Sequence, residues 1–289
     1  MRNVPAASLG GRAGAICGPD GRQPEGRGPD GRAAADHGDR GAQLLHHRQR
    51  GEVAPRRPRH LQQRKLFGAL DLGTNNCRLL IARGCRDDAT EFQVVDAFSR
   101  IVRLGEGLTQ TGVLSEAAME RTLLALDACA EKLARRGVTQ VRSVATEACR
   151  QAANGEQFVR RVYRETGLAL DVITPAEEAR LAVLGCQSLV DDEARWTLVF
   201  DIGGGSTEVA LLERGNGHGT QPLGMTAWVS IPWGVVSLAE TEAEDGGCPS
   251  GRLEAYLRMK ARIAAHLEAL RTCFKGPFHL LGASGTVTT

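Results

Sequence analysis

The sequence predicts a duplicated α/β fold: two domains with a central cleft, preceded by a tail outside both. Three observations predict it. An apolar strand running into an aspartate, a glycine turn and a returning strand occurs at residues 66–81 and again at 198–212. The key aspartates, Asp71 and Asp201, lie 130 positions apart, about one domain of chain. Short apolar runs alternate with stretches of helical period around these hairpins, which is the pattern of layered α/β structure. Residues 1–65, rich in Gly, Arg, Pro and Asp, show almost no apolar periodicity.

The tail comes first. Gly18-Pro19-Asp20-Gly21-Arg22 recurs as Gly28-Pro29-Asp30-Gly31-Arg32, and such a composition buries too little surface to offset ordering entropy. The expectation for 1–65 is a disordered, low-complexity extension, either dispensable or able to bind polyanions. It holds 13 Lys and Arg against six Asp and Glu, leaving 23 basic and 28 acidic side chains downstream. The overall charge of +2 therefore belongs to the tail and says little about partners of the folded part.

Structure is expected from Leu66 onward: residues 66–190 as a first domain and 191–289 as a second. After the first hairpin, Phe92 to Phe98 and Ile101 to Leu104 alternate like strands. Ser115 is a candidate helix N-cap, followed by Met119, Leu123, Leu126, Ala130 and Leu133 on one face, with Gly137 as the stop. Val141 to Ala145 reads as a strand, Asn154 to Glu165 as a helix and Leu168 to Ile173 as a strand. Thr174-Pro175-Ala176-Glu177-Glu178 opens a helix, with Thr174 as N-cap, Pro175 at N1 and Glu177 at N3 completing a capping box. That helix can belong to either domain. Gly251 to Leu270 reads as helical, and Phe278 to Thr286 as a strand entering a third glycine turn.

Several classes are excluded or disfavoured. The eight cysteines are scattered, without CxxC or a Cys/His cluster, which argues against zinc and a disulfide framework and for free thiols in the cytoplasm. No apolar run approaches ~20 residues, so no membrane span is expected, and the N-terminus has no signal core. Ser206 and Ser284 follow glycines outside any G-x-S-x-G elbow. The Gly203-Gly204-Gly205 turn runs into a strand and lacks the Gly-Lys-Ser/Thr ending of a P-loop.

Glycine turns with free backbone N–H groups suit anions. Asp71-Leu72-Gly73-Thr74-Asn75, paired with Asp201-Ile202-Gly203-Gly204-Gly205-Ser206-Thr207-Glu208, resembles the actin, hexokinase and heat-shock chaperone superfamily. Within it, the chain from Leu66 to Thr289 resembles the Ppx/GppA phosphatases, the exopolyphosphatases and guanosine pentaphosphate phosphohydrolases. The resemblance implies an actin-like (ribonuclease H-like) fold. It implies release of terminal phosphate from inorganic polyphosphate or guanosine pentaphosphate, with polyphosphate or guanosine penta/tetraphosphate as partner and no specific nucleic acid; a homodimer is left open. Glu178 aligns with the family's water-activating glutamate, whereas its spacing alone also fits a surface residue favouring the helix dipole. Asp201, Glu208 and Asp71 are implied ligands of Mg²⁺, although Asp71 can equally cap its own turn. Gly73, Thr74, Asn75, Gly204, Gly205, Ser206 and Thr207 are the implied phosphate cradle, with Arg78 and Arg150 as clamps and Arg103 as a weaker candidate. The 230–238 segment resembles a substrate-side loop in which Trp233 either meets substrate or packs. In relatives further chain follows the third turn, so the second domain is expected to be truncated, with inactivity one consequence. A non-hydrolytic polyphosphate or alarmone sensor and an ATP-binding kinase or switch of the superfamily are the alternatives; Mg²⁺-dependent phosphate release separates them from the hydrolase.

Overall fold

The computed structural model describes residues 65–84, 92–191, 193–215, 223–242, 249–273 and 276–283. The expectations for the tail up to residue 64 and for the third glycine turn lie outside the described residues. The chain runs through β1 (Leu66–Leu72), β2 (Asn76–Gly84), β3 (Phe92–Ile101), α1 (Leu108–Thr111), α2 (Glu116–Arg135), β4 (Gln140–Ala145), α3 (Glu147–Gln151), α4 (Gly155–Thr166) and β5 (Asp171–Val172). It continues through α5 (Pro175–Cys186), β6 (Trp196–Ile202), β7 (Thr207–Arg214), β8 (Leu223–Ile231), α6 (Val235–Thr241), α7 (Pro249–Arg271) and β9 (His279–Ala283). None of the described helices is long and apolar enough to cross a membrane.

Two sheets form, ordered β3-β2-β1-β4-β5 and β8-β7-β6-β9. Each starts with an antiparallel meander and adds its next strand parallel to the first. This repeat of one topology is the duplicated actin-like fold. The duplication extends to register. Asp71 faces Arg78 across the first hairpin, and Asp201 faces Glu208 across the second. Each meander carries a bulge at the same place, between Ile81 and Ala82 and between Leu211 and Leu212. A bulge adds local twist, so both sheets bend at matching points.

Alternation decides which face of the first sheet is covered. Leu70, Leu72, Leu79 and Ile81 point to one side and pack with Leu123, Leu126 and Leu133 of α2 and Phe158 and Val162 of α4. Ser115 caps α2 by accepting from Ala118 N at 3.3 Å, and Gly137 takes φ 63 after the helix. The region read as two strands, 92–98 and 101–104, is one strand to Ile101 followed by turns. Of the strand read at 168–173, only Asp171 and Val172 pair with β4.

Helix α5 packs on the second sheet. Its Val183 and Cys186 meet Val199 of β6 and Ala210 and Leu212 of β7. Trp196, Leu211, Val229, Ile231 and Leu270 form the core on the other side. Each buried Val, Leu or Ile here is worth roughly 1.5–3 kcal/mol relative to exposure, so α5 is fixed to sheet two by its apolar face while its N-terminus is left at the cleft.

Candidate active site

The two glycine turns meet at one pocket of about 480 Å³. Gly73 N donates to Asn76 O at 2.9 Å in the first turn, and Gly203 N donates to Ser206 O at 2.9 Å in the second. Each turn is therefore closed by the same bond, which leaves its middle N–H groups free. Among the described residues none accepts a hydrogen bond from the N–H of Thr74, Asn75, Gly204 or Gly205. All four residues line the pocket. A partly buried N–H without an acceptor is costly unless water or a ligand supplies one, so these turns are built for acceptors from outside the chain.

The turns touch, and the glycines are what allow it. A Cβ on Gly205 would stand 2.6 Å from Thr74 Oγ1, and one on Gly204 3.1 Å from Asn75 Cβ and 3.2 Å from Asn75 N. Behind the first turn, Val102 and Arg103 donate from backbone N–H to Asn75 O at 2.8 and 3.0 Å. Arg103 adopts φ 48 to do so, the only described non-glycine residue in the left-handed region. Behind the second, Val236 donates to Gly204 O at 2.8 Å from the start of α6.

Carboxylates crowd this pocket. Asp71, Asp201 and Glu178 line it, and Arg78 is the one basic residue among the lining groups. Crowding by protein raises the pKa of Asp71 and of Asp201 above the ordinary value, with Arg78 opposing it in both. Solvent access at the cleft limits the effect at Asp71. Burial pushes Glu178 up to about 7; Arg150 opposes the shift, and Asp71 and Glu147 add to it. Loss of water and the neighbouring carboxylates outweigh the pull of the helix N-terminus on this group.

Glu208 lies behind the pocket, 4% exposed. Ser230 Oγ donates to its Oε1 at 2.9 Å. Burial, then the charge of Glu178, pushes its pKa up to about 8, against the hydrogen bonds of Ser230 and Ser206. Thr207 also faces away, donating from Oγ1 to Trp233 O at 2.8 Å. Trp233 itself packs on the second core under the guanidinium of Arg262.

Two further expectations change. Arg150 is absent from the pocket lining: its Nη1 donates to Ile173 O at 2.6 Å, its Nε to Glu147 Oε2 at 2.9 Å and its Nη2 to Glu178 Oε2 at 3.0 Å. It braces Glu178 rather than facing phosphate. Thr174 caps α5 by accepting from Glu177 N at 3.2 Å, but the Glu177 carboxylate turns outward to Arg142 and Arg180 instead of closing the capping box. The sequence reading also passed over Glu147 and Thr146. An i, i+3 Glu/Arg pair was visible, but nothing marked 147–151 as the helix that makes it a contact.

The side chains lining the pocket that could ligate a metal, Asp71, Asp201 and Glu178, offer oxygens, as Mg²⁺ requires. Among the described residues no three His, Cys, Asp or Glu side chains converge as a metal cluster. That donor set fits an ion held by one or two carboxylates and otherwise by water and phosphate.

Comparison with known proteins gives a consistent relationship. The Ppx/GppA phosphatase family profile matches residues 85–289. The bifunctional 3-dehydroquinate synthase/phosphatase of Fusobacterium nucleatum is 31% identical over 229 residues, covering 78% of this chain and 33% of that protein. The chain thus spans about a third of the length of this curated relative. Among solved structures, an exopolyphosphatase-like protein is 31% identical with a TM-score of 0.66, covering 78% of this chain and 67% of that one. An exopolyphosphatase from Cytophaga hutchinsonii is 28% identical with a TM-score of 0.64, covering 78% and 68%.

Proposed function

Since the chain belongs to the Ppx/GppA phosphatase family, we propose that it hydrolyses the terminal phosphoanhydride of inorganic polyphosphate or guanosine pentaphosphate with the help of Mg²⁺. One observation carries this reading: four backbone N–H groups without acceptors among the described residues, two from each glycine turn, belong to residues lining one pocket beside Glu178. Phosphoryl transfer needs positioning and charge neutralisation more than covalent help from the protein.

The N–H groups of Thr74, Asn75, Gly204 and Gly205 hold non-bridging phosphate oxygens, and Arg78 adds a charged donor. Glu178, as carboxylate, takes a proton from a water molecule; the water oxygen bonds to the terminal phosphorus and the bond to the bridging oxygen breaks. The shortened chain leaves with that electron pair on the former bridging oxygen, and the terminal phosphate is released carrying the water oxygen. A Mg²⁺ held by Asp201, with Glu208 and Asp71 directly or through water, would supply the positive charge that three lining carboxylates deny to an anion. A pKa near 7 suits the base, because it is ionised at working pH yet still basic enough to accept the proton.

The test is phosphate release from polyphosphate and from guanosine pentaphosphate side by side, with Mg²⁺ and with chelator. Release that needs Mg²⁺ and disappears in Glu178→Gln supports the reading. Tight binding of either compound without release would make the chain a sensor instead.

A further inference from the structure

Glu147 has no part in the chemistry above, yet it is 8% exposed and fully engaged. Its Oε2 accepts from Arg150 Nε at 2.9 Å and also from Arg150 Nη2, while its Oε1 accepts from Gln151 Nε2 at 2.6 Å. Arg150 Nη2 also reaches Glu178 Oε2 at 3.0 Å. The guanidinium is thus oriented by two acceptors other than Glu178, namely Glu147 and the carbonyl of Ile173. On its other side the stem of Glu147 lies close to the opposite turn: a Cβ on Gly205 would meet Glu147 Cγ at 3.2 Å.

We propose that Glu147 is a positioning residue of the reaction, which keeps Arg150 from closing on Glu178 and ties that orientation to the approach of Gly205. The proposal rests on Glu178 being the base. An arginine offered one carboxylate prefers the two-point pair through Nε and Nη2. Glu147 occupies that edge, so Glu178 receives one N–H and keeps its other oxygen for water. Without Glu147, the fork turns to Glu178, draws the base back and takes both of its oxygens. The contact with Gly205 places the same side chain where the second phosphate turn arrives, so the base is set only when both turns are in place.

The variants are Glu147→Gln, Glu147→Asp and Arg150→Lys. In Glu147→Gln, kcat should fall on the order of 10- to 100-fold while KM stays within about threefold, because a misaimed base costs rate more than binding. Glu147→Asp keeps the charge and should give a kcat between those of the wild type and Glu147→Gln. Adding Glu147→Gln to Arg150→Lys should cost little more than Arg150→Lys alone, since the effect passes through Arg150. A crystal structure of Glu147→Gln should show Arg150 joined to Glu178 through two N–H groups. An unchanged single contact there, a rise in KM at constant kcat, or fully multiplicative losses would overturn the proposal. Should Glu147→Gln fail to fold, Glu147→Asp decides: a fall in kcat at steady KM supports it and an unchanged kcat overturns it. If the wild type releases no phosphate from either compound, the hydrolase reading fails by itself, and the crystal structure still judges the role of Glu147.

Discussion

Glu177 and Glu178 are sequence neighbours with opposite surroundings. Glu177 faces outward to Arg142 and Arg180, whose hydrogen bonds hold its pKa down at about 2. Glu178 points into the pocket and is pushed up to about 7. Glu178→Gln should therefore lower phosphate release by ~10²–10⁴ with substrate binding within a few fold, whereas Glu177→Gln should leave the rate unchanged; steady-state kinetics beside a binding isotherm distinguish the two. In the proposed mechanism the same residue sets a pH profile. Water activation needs the carboxylate, so kcat/KM should rise with pH through an apparent pKa near neutrality, well above that of an ordinary glutamate. An acidic limb near 4.5 would show that the base is another group. At this scale the sequence was partly legible. Glu178 followed from a capping pattern and a family motif, and Asp71 and Asp201 from the turns. Arg150 and Glu147 were misplaced or missed because their roles depend on α3, and five residues of helix leave almost no periodic signal.

The two glycine turns act as a pair because each is shaped to admit the other. Gly205→Ala would push a methyl group against Thr74 Oγ1, so the turns must separate. The expected result is weaker phosphate binding, measured by calorimetry, with a stability loss in the ~1–3 kcal/mol range of an overpacked site. At the start of α5, Thr174→Ala removes the side-chain acceptor for Glu177 N. Its cost should be about 1 kcal/mol, a drop of about 2–4 °C in melting temperature for a unit of this size. Long elements were readable: the apolar faces of α2 and α4 and the caps of α2 and α5 follow from spacing alone. Short ones were not. Helix α6 occupies what looked like loop, since Gly234 and the second turn pack so closely that tertiary contact, not propensity, fixes its start.

On the scale of the whole molecule, carboxylates gathered at the cleft tie stability to pH. Glu178 and Glu208 sit at about 7 and about 8, against an ordinary value of 4.5. The folded state then keeps protons that the unfolded state releases. This stabilisation is complete below about 4.5 and is lost as pH rises through 7 and 8. Melting temperature in chelator should fall between pH 5 and pH 8.5, and Mg²⁺ should restore more of it at pH 8.5 than at pH 5. Because both turns line one pocket, phosphate should slow hydrogen exchange at Gly73–Asn76 and Gly203–Ser206 together; protection of one turn alone would argue against a shared site. The duplicated register has a last consequence. Two identical turns would form a cradle with no direction, in which a run of phosphates lies equally well either way round. At the rung that carries the paired aspartates the copies differ, Arg78 in the first and Glu208 in the second. That exchange of sign makes the two halves of the site unlike, and the proposed hydrolysis from one end of a phosphate chain needs such a difference.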